Sequence, residues 1–262
     1  MKKSAILVFL MLILTSNISN AISFKKLAGE RYFYLPELSV EMNGMVFEYH
    51  NYKLDYPIDA HDALNSAIIK QLFLVYTDPI DYEGSSILDA AEVFLNTFMD
   101  KENAETAIEI KESEIENFYM PMPQNIFVSG TVKKHTPNII IYECETGIYA
   151  AMAPHPYSHF SYINFYIPQQ KVLTISDLLL TSKKSTINKA VRRNARKVID
   201  QLYTNDTSDI EYSEIFYLSN KGITFVYQAY EIGPGASGVI EITVPKSALT
   251  GCLTKLGELL IN

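Results

Sequence analysis

The sequence predicts an α+β protein with a mainly antiparallel sheet packed with helices. Three observations carry this. Residues 222–245 read as two strand patterns around a glycine-proline turn, with Ile223, Phe225, Tyr227 and Ala229 on one face of the first run and Ile240, Ile242 and Val244 on one face of the second. Ile139-Ile140-Ile141-Tyr142 is apolar on both faces, as a central strand is. Elsewhere apolar residues recur at helical spacing, and the resulting order of strands, helices, strands, helix, strands and helix fits no α/β alternation.

The chain opens with Met1-Lys2-Lys3, an apolar run from Ala5 to Leu14, and Ser19-Asn20-Ala21. A basic start, an apolar run too short to span a bilayer and small residues at a cut site describe a secretory signal peptide, residues 1–21. Cleavage removes two lysines and no acid, so the formal charge moves from −8 to −10. An acidic exported chain argues against nucleic acid as a partner. No later stretch is apolar enough for a transmembrane helix, and the expected location is periplasmic or extracellular. The two cysteines, Cys144 and Cys252, would meet an oxidising compartment, and whether they pair stays open.

After the cut, Tyr32-Phe33-Tyr34 reads as a strand. So does Val46–Tyr56, whose two faces are both mixed: Glu48, His50 and Tyr52 on one, Tyr49, Asn51 and Lys53 on the other. Mixed faces suggest an edge or partly exposed strand, ended by Pro57. A helix capped by Asp59 or His61 runs to about Tyr76 on Leu64, Ala67, Ile68 and Leu72. A second, near Ser85 to Met99, opens with Ser86 and Asp89 in a capping-box spacing. The acidic stretch Asp100–Asn117 is either a helix extension or a strand such as Ala107–Lys111. Met120-Pro121-Met122-Pro123 marks the seam between an N-terminal part, 22–120, and a C-terminal part, 121–262.

Strand patterns follow at Ile126–Lys134, Asn138–Tyr149 and His159–Ile167. Val172–Ile175 leads into a short helix opened by Ser176. Ser185–Tyr203 is a helix with the stripe Ile187, Val191, Val198 and Leu202. Its basic cluster, Lys183 to Lys197, reads as a solvated helix face. Tyr212–Leu218 joins the final hairpin in a C-terminal sheet, and a last helix starts near Ser247 on Leu249, Leu253, Leu256 and Leu260.

Motifs of chemistry are sparse. His155 and His159 stand four apart, but Pro154 and Pro156 forbid a helix that would align them, so no metal site is expected. Gly233–Gly238 lacks the Gly-Lys-Ser/Thr ending of a phosphate loop and leads into a strand, so it reads as a connection with unusual backbone angles. No cofactor motif is present. Carboxylates such as Glu143, Glu145 or Glu231 would have to converge in pairs to support a hydrolase.

Three stretches taken together carry a resemblance: Pro154-His155-Pro156 with Tyr162-Ile163-Asn164-Phe165; Val172–Leu179; and Gly222–Phe225 through Tyr230-Glu231-Ile232-Gly233-Pro234 to Gly238 and Val244-Pro245. In this order they resemble the DUF3298 family, found in the extracytoplasmic domains of lysozyme-sensing anti-sigma factors and beside some peptidoglycan deacetylases. Residues 45–118 resemble the DUF4163 part that often precedes it. Ala153-Pro154 stands where the family has glycine-alanine. The resemblance implies an α+β fold and a non-catalytic recognition role at the cell envelope, with a lysozyme-like muramidase or peptidoglycan as partner. The candidate binding residues are His155, Tyr157, His159, Tyr230 and Glu231.

Overall fold

The computed structural model describes residues 22–34, 46–58, 62–75, 82–84, 86–97, 124–150 and 153–261. Expectations for the signal peptide, the Asp59 or His61 cap, Asp100–Asn117 and the seam at Met120–Pro123 lie outside the described residues.

Six strands form one sheet in sequence order: β1 (Phe24–Tyr34), β2 (Val46–Pro57), β3 (Gln124–His135), β4 (Ile139–Ala150), β5 (Tyr157–Tyr166) and β6 (Lys171–Val172). All neighbours are antiparallel except β2 and β3. A parallel pair needs a long crossover, and helices α1 (Asp62–Leu72) and α2 (Ile87–Asn96) lie within it. The sheet therefore spans both parts of the chain. The fold is α+β, with a second sheet of β7 (Phe216–Ser219), β8 (Gly222–Tyr227) and β9 (Ile240–Pro245). The remaining helices are α3 (Ile175–Leu178), α4 (Lys184–Ala195) and α5 (Lys255–Leu260). Among the described residues no helix is long and apolar enough to cross a membrane.

The doubly apolar run in β4 has a direct cause. Ile140, Tyr142 and Cys144 face one core, with Leu64, Ile68 and Leu72 of α1 and Ala91 and Phe94 of α2. Ile139 and Ile141 face the other, with Ile187 and Val191 of α4 and the inward rows of β8 and β9. Cys144 and Cys252 belong to these two different cores, and both are free thiols.

Several expectations are corrected. Of the two alternatives for β2, the edge fails, since β2 lies between β1 and β3 and β1 is the edge among the described residues; the partly exposed strand holds for its Tyr49, Asn51 and Lys53 face. The mixed faces arise because Glu48 and His50 point into the helix-side core and bond each other there; His50 Nδ1 also donates to Phe94 O at 3.1 Å, between the rings of Phe33 and Phe94. The other face of β2, with Tyr49, Asn51 and Lys53, is turned away from the helices. β1 starts at Phe24, well before Tyr32. β8 is buried on both faces, not half-buried. The short helix α3 is capped at Thr174, not Ser176, because Asp177 reaches back to accept the Thr174 amide at 2.9 Å. α4 stops at Ala195 and a 3₁₀ turn follows, with Val198 out of the helical region. The last helix is split: Gly251 takes φ +73° and Thr254 restarts the helix by accepting the Gly257 amide at 3.0 Å. Ser86 caps α2 through the Asp89 amide, at 3.2 Å, as its spacing predicts.

Candidate functional site

β6 pairs only with Phe165 and Tyr166, so the first part of β5 has no strand beside it on that side among the described residues. Two side-chain amides tie β5 to the second sheet and the loop after β8. Asn164, on β5, donates to Phe216 O at 2.8 Å and accepts the Leu218 amide at 3.1 Å. Gln228, which follows β8, donates to Phe160 O at 2.8 Å and accepts the Phe160 amide at 2.9 Å. Each amide presents the donor and acceptor that a neighbouring backbone would. Gln228 holds the β8–β9 connection against the start of β5, and Asn164 holds β7 against its later half.

That placement gathers four of the five predicted residues. His155 Nδ1 lies 3.1 Å from Pro156 O, which can only accept, so Nδ1 carries the proton and Nε2 accepts the Tyr230 hydroxyl at 3.1 Å. Tyr230 sits at φ +70°, in the left-handed region. It is kept there by its neighbours: the Glu231 amide bonds Gln228 O, and Glu231 Oε2 accepts the Gln228 amide at 2.8 Å. The Tyr203 hydroxyl reaches Tyr230 O at 3.3 Å. The Tyr230 ring lies over Gly235, where a Cβ would come within 2.1 Å of it, which explains a glycine at that position. His159 is half-buried, and burial pushes its imidazole below its ordinary value, with Glu231 partly offsetting this. Tyr157, at the head of β5, is 73% exposed; Tyr203 and Tyr230 are 56% and 53% exposed.

The outcome is a rim of two exposed tyrosines, Tyr203 and Tyr230, beside His155 on a pinned loop, with Tyr157 exposed two residues further on at the head of β5. Tyr203, Gln228 and Asn164 were not among the predicted site residues. Asn164 lies inside one of the family-like stretches, but nothing in its spacing distinguishes a bridging amide from a solvated one.

The candidate carboxylates separate. Glu231 caps the loop just described. Glu145 stands opposite Ser129 and Phe160. Glu143 meets Glu241 of β9 at the ammonium of Lys133, which lies 4.0 Å from Glu241 and ion-pairs with Glu143. Lys133 is the extra residue of a bulge in β3, and its Nζ sits over the rings of Tyr162 and Tyr217 at 5.3 and 4.6 Å. The Tyr217 hydroxyl donates to Glu241 at 2.8 Å, and burial, then the adjacent carboxylate, raises the pKa of both tyrosines. His135 lies at the far end of β3 with its ring against Phe24, away from His155 and His159. The basic helix face is partly engaged: Lys184 pairs with Glu211 at 2.7 Å, and Arg192 donates to Ile210 O at 2.9 Å.

Comparison with curated proteins gives no match. Two solved structures share the fold. A member of the DUF3298 family from Bacteroides fragilis aligns with a TM-score of 0.73 at 18% identity, over 90% of this chain and 95% of its own. A DUF3298 family protein from Pseudomonas aeruginosa aligns with a TM-score of 0.64 at 15% identity, over 90% and 96%. Within the chain, residues 174–247 match the family model described as "Protein of unknown function (DUF3298)". That segment runs from the α3 cap through α4 to the end of β9 and contains Tyr203, Gln228, Tyr230 and Glu231, so these residues lie within the stretch that is similar to the DUF3298 model.

Proposed function

We propose that this chain is an exported, non-catalytic binding protein of the cell envelope, and that the rim formed by His155, Tyr157, Tyr203 and Tyr230 receives a protein partner. The observation that carries the reading is the exposed Tyr230 on backbone fixed by Gln228, Glu231 and Gly235, with the exposed Tyr203 bonded to it. Tyrosines on rigid backbone lose little entropy on binding and present large apolar area beside a hydroxyl. Export rests on Lys2-Lys3, the Ala5–Leu14 run and Ala21. In this reading the N-terminal part is of the DUF4163 type, and the partner is a lysozyme-like muramidase, with peptidoglycan as the alternative. The acidic charge of the chain would speed encounter with a cationic muramidase.

The test is calorimetry of the folded chain with lysozyme at low and moderate salt. Binding is expected to weaken as salt rises and to fall at least tenfold in Tyr230→Ala, about 1.4 kcal/mol. Salt-independent binding indifferent to Tyr230 refutes the assignment. A second reading, a wall-active hydrolase, rests on the convergence of Glu143 and Glu241 at Lys133. An acid and a base need environments that separate their pKa values, whereas one lysine serves both carboxylates here. Clearing of a purified wall suspension by the chain alone, lost in Glu143→Gln, would decide for that reading.

A further inference from the structure

The six-stranded sheet covers its two faces unequally. α1 and α2 pack on the face of Tyr52, Leu54, Ile126, Val128 and Tyr142. The second sheet and α4 cover the opposite face near Ile139, Ile141, Asn164, Glu143 and Tyr162. The register shows what the rest of that opposite face presents. One row across four strands is Tyr32, Tyr49, Asn125 and Tyr149. The next is Glu30, Asn51, Phe127 and Gly147. With strands about 4.8 Å apart, four positions span roughly 14 Å.

The rows are aromatic and amide, not simply apolar. Tyr32 and Tyr49 stack at 4.5 Å with planes 24° apart, and Tyr32 is still 44% exposed. Tyr149, at the other end of the row, is 42% exposed. Phe127 lies down over Gly147, where a Cβ would meet its ring at 2.6 Å, so this ring lies along the sheet. Between the rings, Asn51 donates to Asn125 Oδ1 at 2.7 Å. That bond leaves the Asn51 oxygen and the Asn125 amino group as an acceptor and a donor side by side. The Tyr49 hydroxyl donates to Glu30 at 2.8 Å. Charges on the face and its margin, Glu30, Lys53 and Glu145, are mixed in sign.

We propose that this face, open among the described residues, is a binding platform for an uncharged, N-acetylated oligosaccharide. Flat aromatic rings take the apolar faces of sugar rings, the Asn51–Asn125 pair offers the complement of an acetamido group, and the mixed charge favours a neutral chain over a polyanion. The platform stands on its own observations and does not need the rim of Tyr203 and Tyr230 to bind anything.

The probe is the β-linked tetramer of N-acetylglucosamine, titrated into the folded chain by calorimetry and by tyrosine emission, which is read directly because the chain has no tryptophan. Saturable binding is expected, weakened at least tenfold in Tyr149→Ala and in Tyr32→Ala and unchanged in Tyr230→Ala. Both substituted rings are exposed, so if Tyr32→Ala on the edge strand fails to fold, Tyr149→Ala still decides. Absence of binding overturns the proposal, as does binding unaffected by either substitution. It also falls if sedimentation shows a dimer that Tyr149→Ala dissolves, since the face is then closed by a second copy. Lysozyme binding lost in Tyr230→Ala with tetramer binding retained separates the two surfaces.

Discussion

Removing the Asn164 side chain should loosen the C-terminal sheet from the six-stranded one. Asn164 is 1% exposed, and its two hydrogen bonds, 2.8 Å to Phe216 O and 3.1 Å from the Leu218 amide, join β5 to β7 across sheets that share no backbone pairing there. Asn164→Leu keeps the volume and orphans one buried carbonyl and one buried amide. At about 1–3 kcal/mol for each unsatisfied group the loss is about 2–6 kcal/mol. That is a large share of the roughly 5–15 kcal/mol that holds a domain folded. Asn164→Asp makes a sharper test. One carboxylate oxygen can still accept from Leu218, but the other would face the Phe216 carbonyl unless it keeps its proton. The folded state therefore raises the pKa of this new acid, so the variant should lie nearest wild type below about pH 4 and lose stability as pH rises from there. Urea unfolding at pH 4 and pH 7, with hydrogen exchange at the Leu218 amide, measures both effects. An Asn164→Leu loss under about 1 kcal/mol, with Leu218 still protected, would show that the sheets are held without the amide.

Two further outcomes are expected. Gly238, at φ +64° with open space around it, and Gly222, at φ +144° where a Cβ would lie 2.1 Å from Val244 O, should separate backbone strain from collision: Gly238→Val loses about 1–3 kcal/mol in chemical unfolding and Gly222→Ala more, whereas a Gly238→Val midpoint equal to wild type would remove the left-handed assignment. Because burial depresses the folded pKa of His159, the unfolded chain takes up a proton first as pH falls; stability is full above about pH 6.5 and declines below it, and His159→Asn should flatten that slope in melts run from pH 7.5 to 5.5 unless the imidazole is as solvated as in a peptide.

The legible and illegible parts of this sequence divide by what periodicity can report. β4 was readable because both of its faces are apolar, and β9 because Ile240, Ile242 and Val244 alternate with Glu241 and Thr243. β2 misled because its polar residues solve two different problems. Glu48 and His50 bond each other inside the core, while Tyr49 and Asn51 belong to the face turned away from the helices, and a pattern of polar letters looks the same in both cases. Helix limits failed where a single residue overrode a good stripe: Gly251 in the left-handed region, Thr254 and Thr174 as caps, Val198 out of the helical region.

The candidate site shows the same division at longer range. His155 and Tyr230 are 75 positions apart, and between them Gln228 bonds the free edge of β5 at Phe160 while Asn164 of β5 bonds the outer edge of β7. An uncovered sheet edge invites pairing with any other chain. The Gln228 amide occupies that edge at Phe160 without extending the sheet, and Asn164 does the same for the outer edge of β7 at Phe216 and Leu218. The connection between β8 and β9 then carries Tyr230 past the edge to His155. Had β7 simply paired with β5 along its length, the β8–β9 loop would have been directed along the sheet, and the exposed tyrosines would have had no common rim. The placing of Tyr230 is thus a consequence of how the two sheets are joined, and under the proposed function Gln228→Leu is expected to disturb partner binding more than its partly exposed position alone would suggest. The comparison that decides is the Gln228→Leu affinity for lysozyme against its unfolding midpoint: a weakened affinity with a near-normal midpoint supports positioning, and an unchanged affinity shows that the rim keeps its shape without the amide.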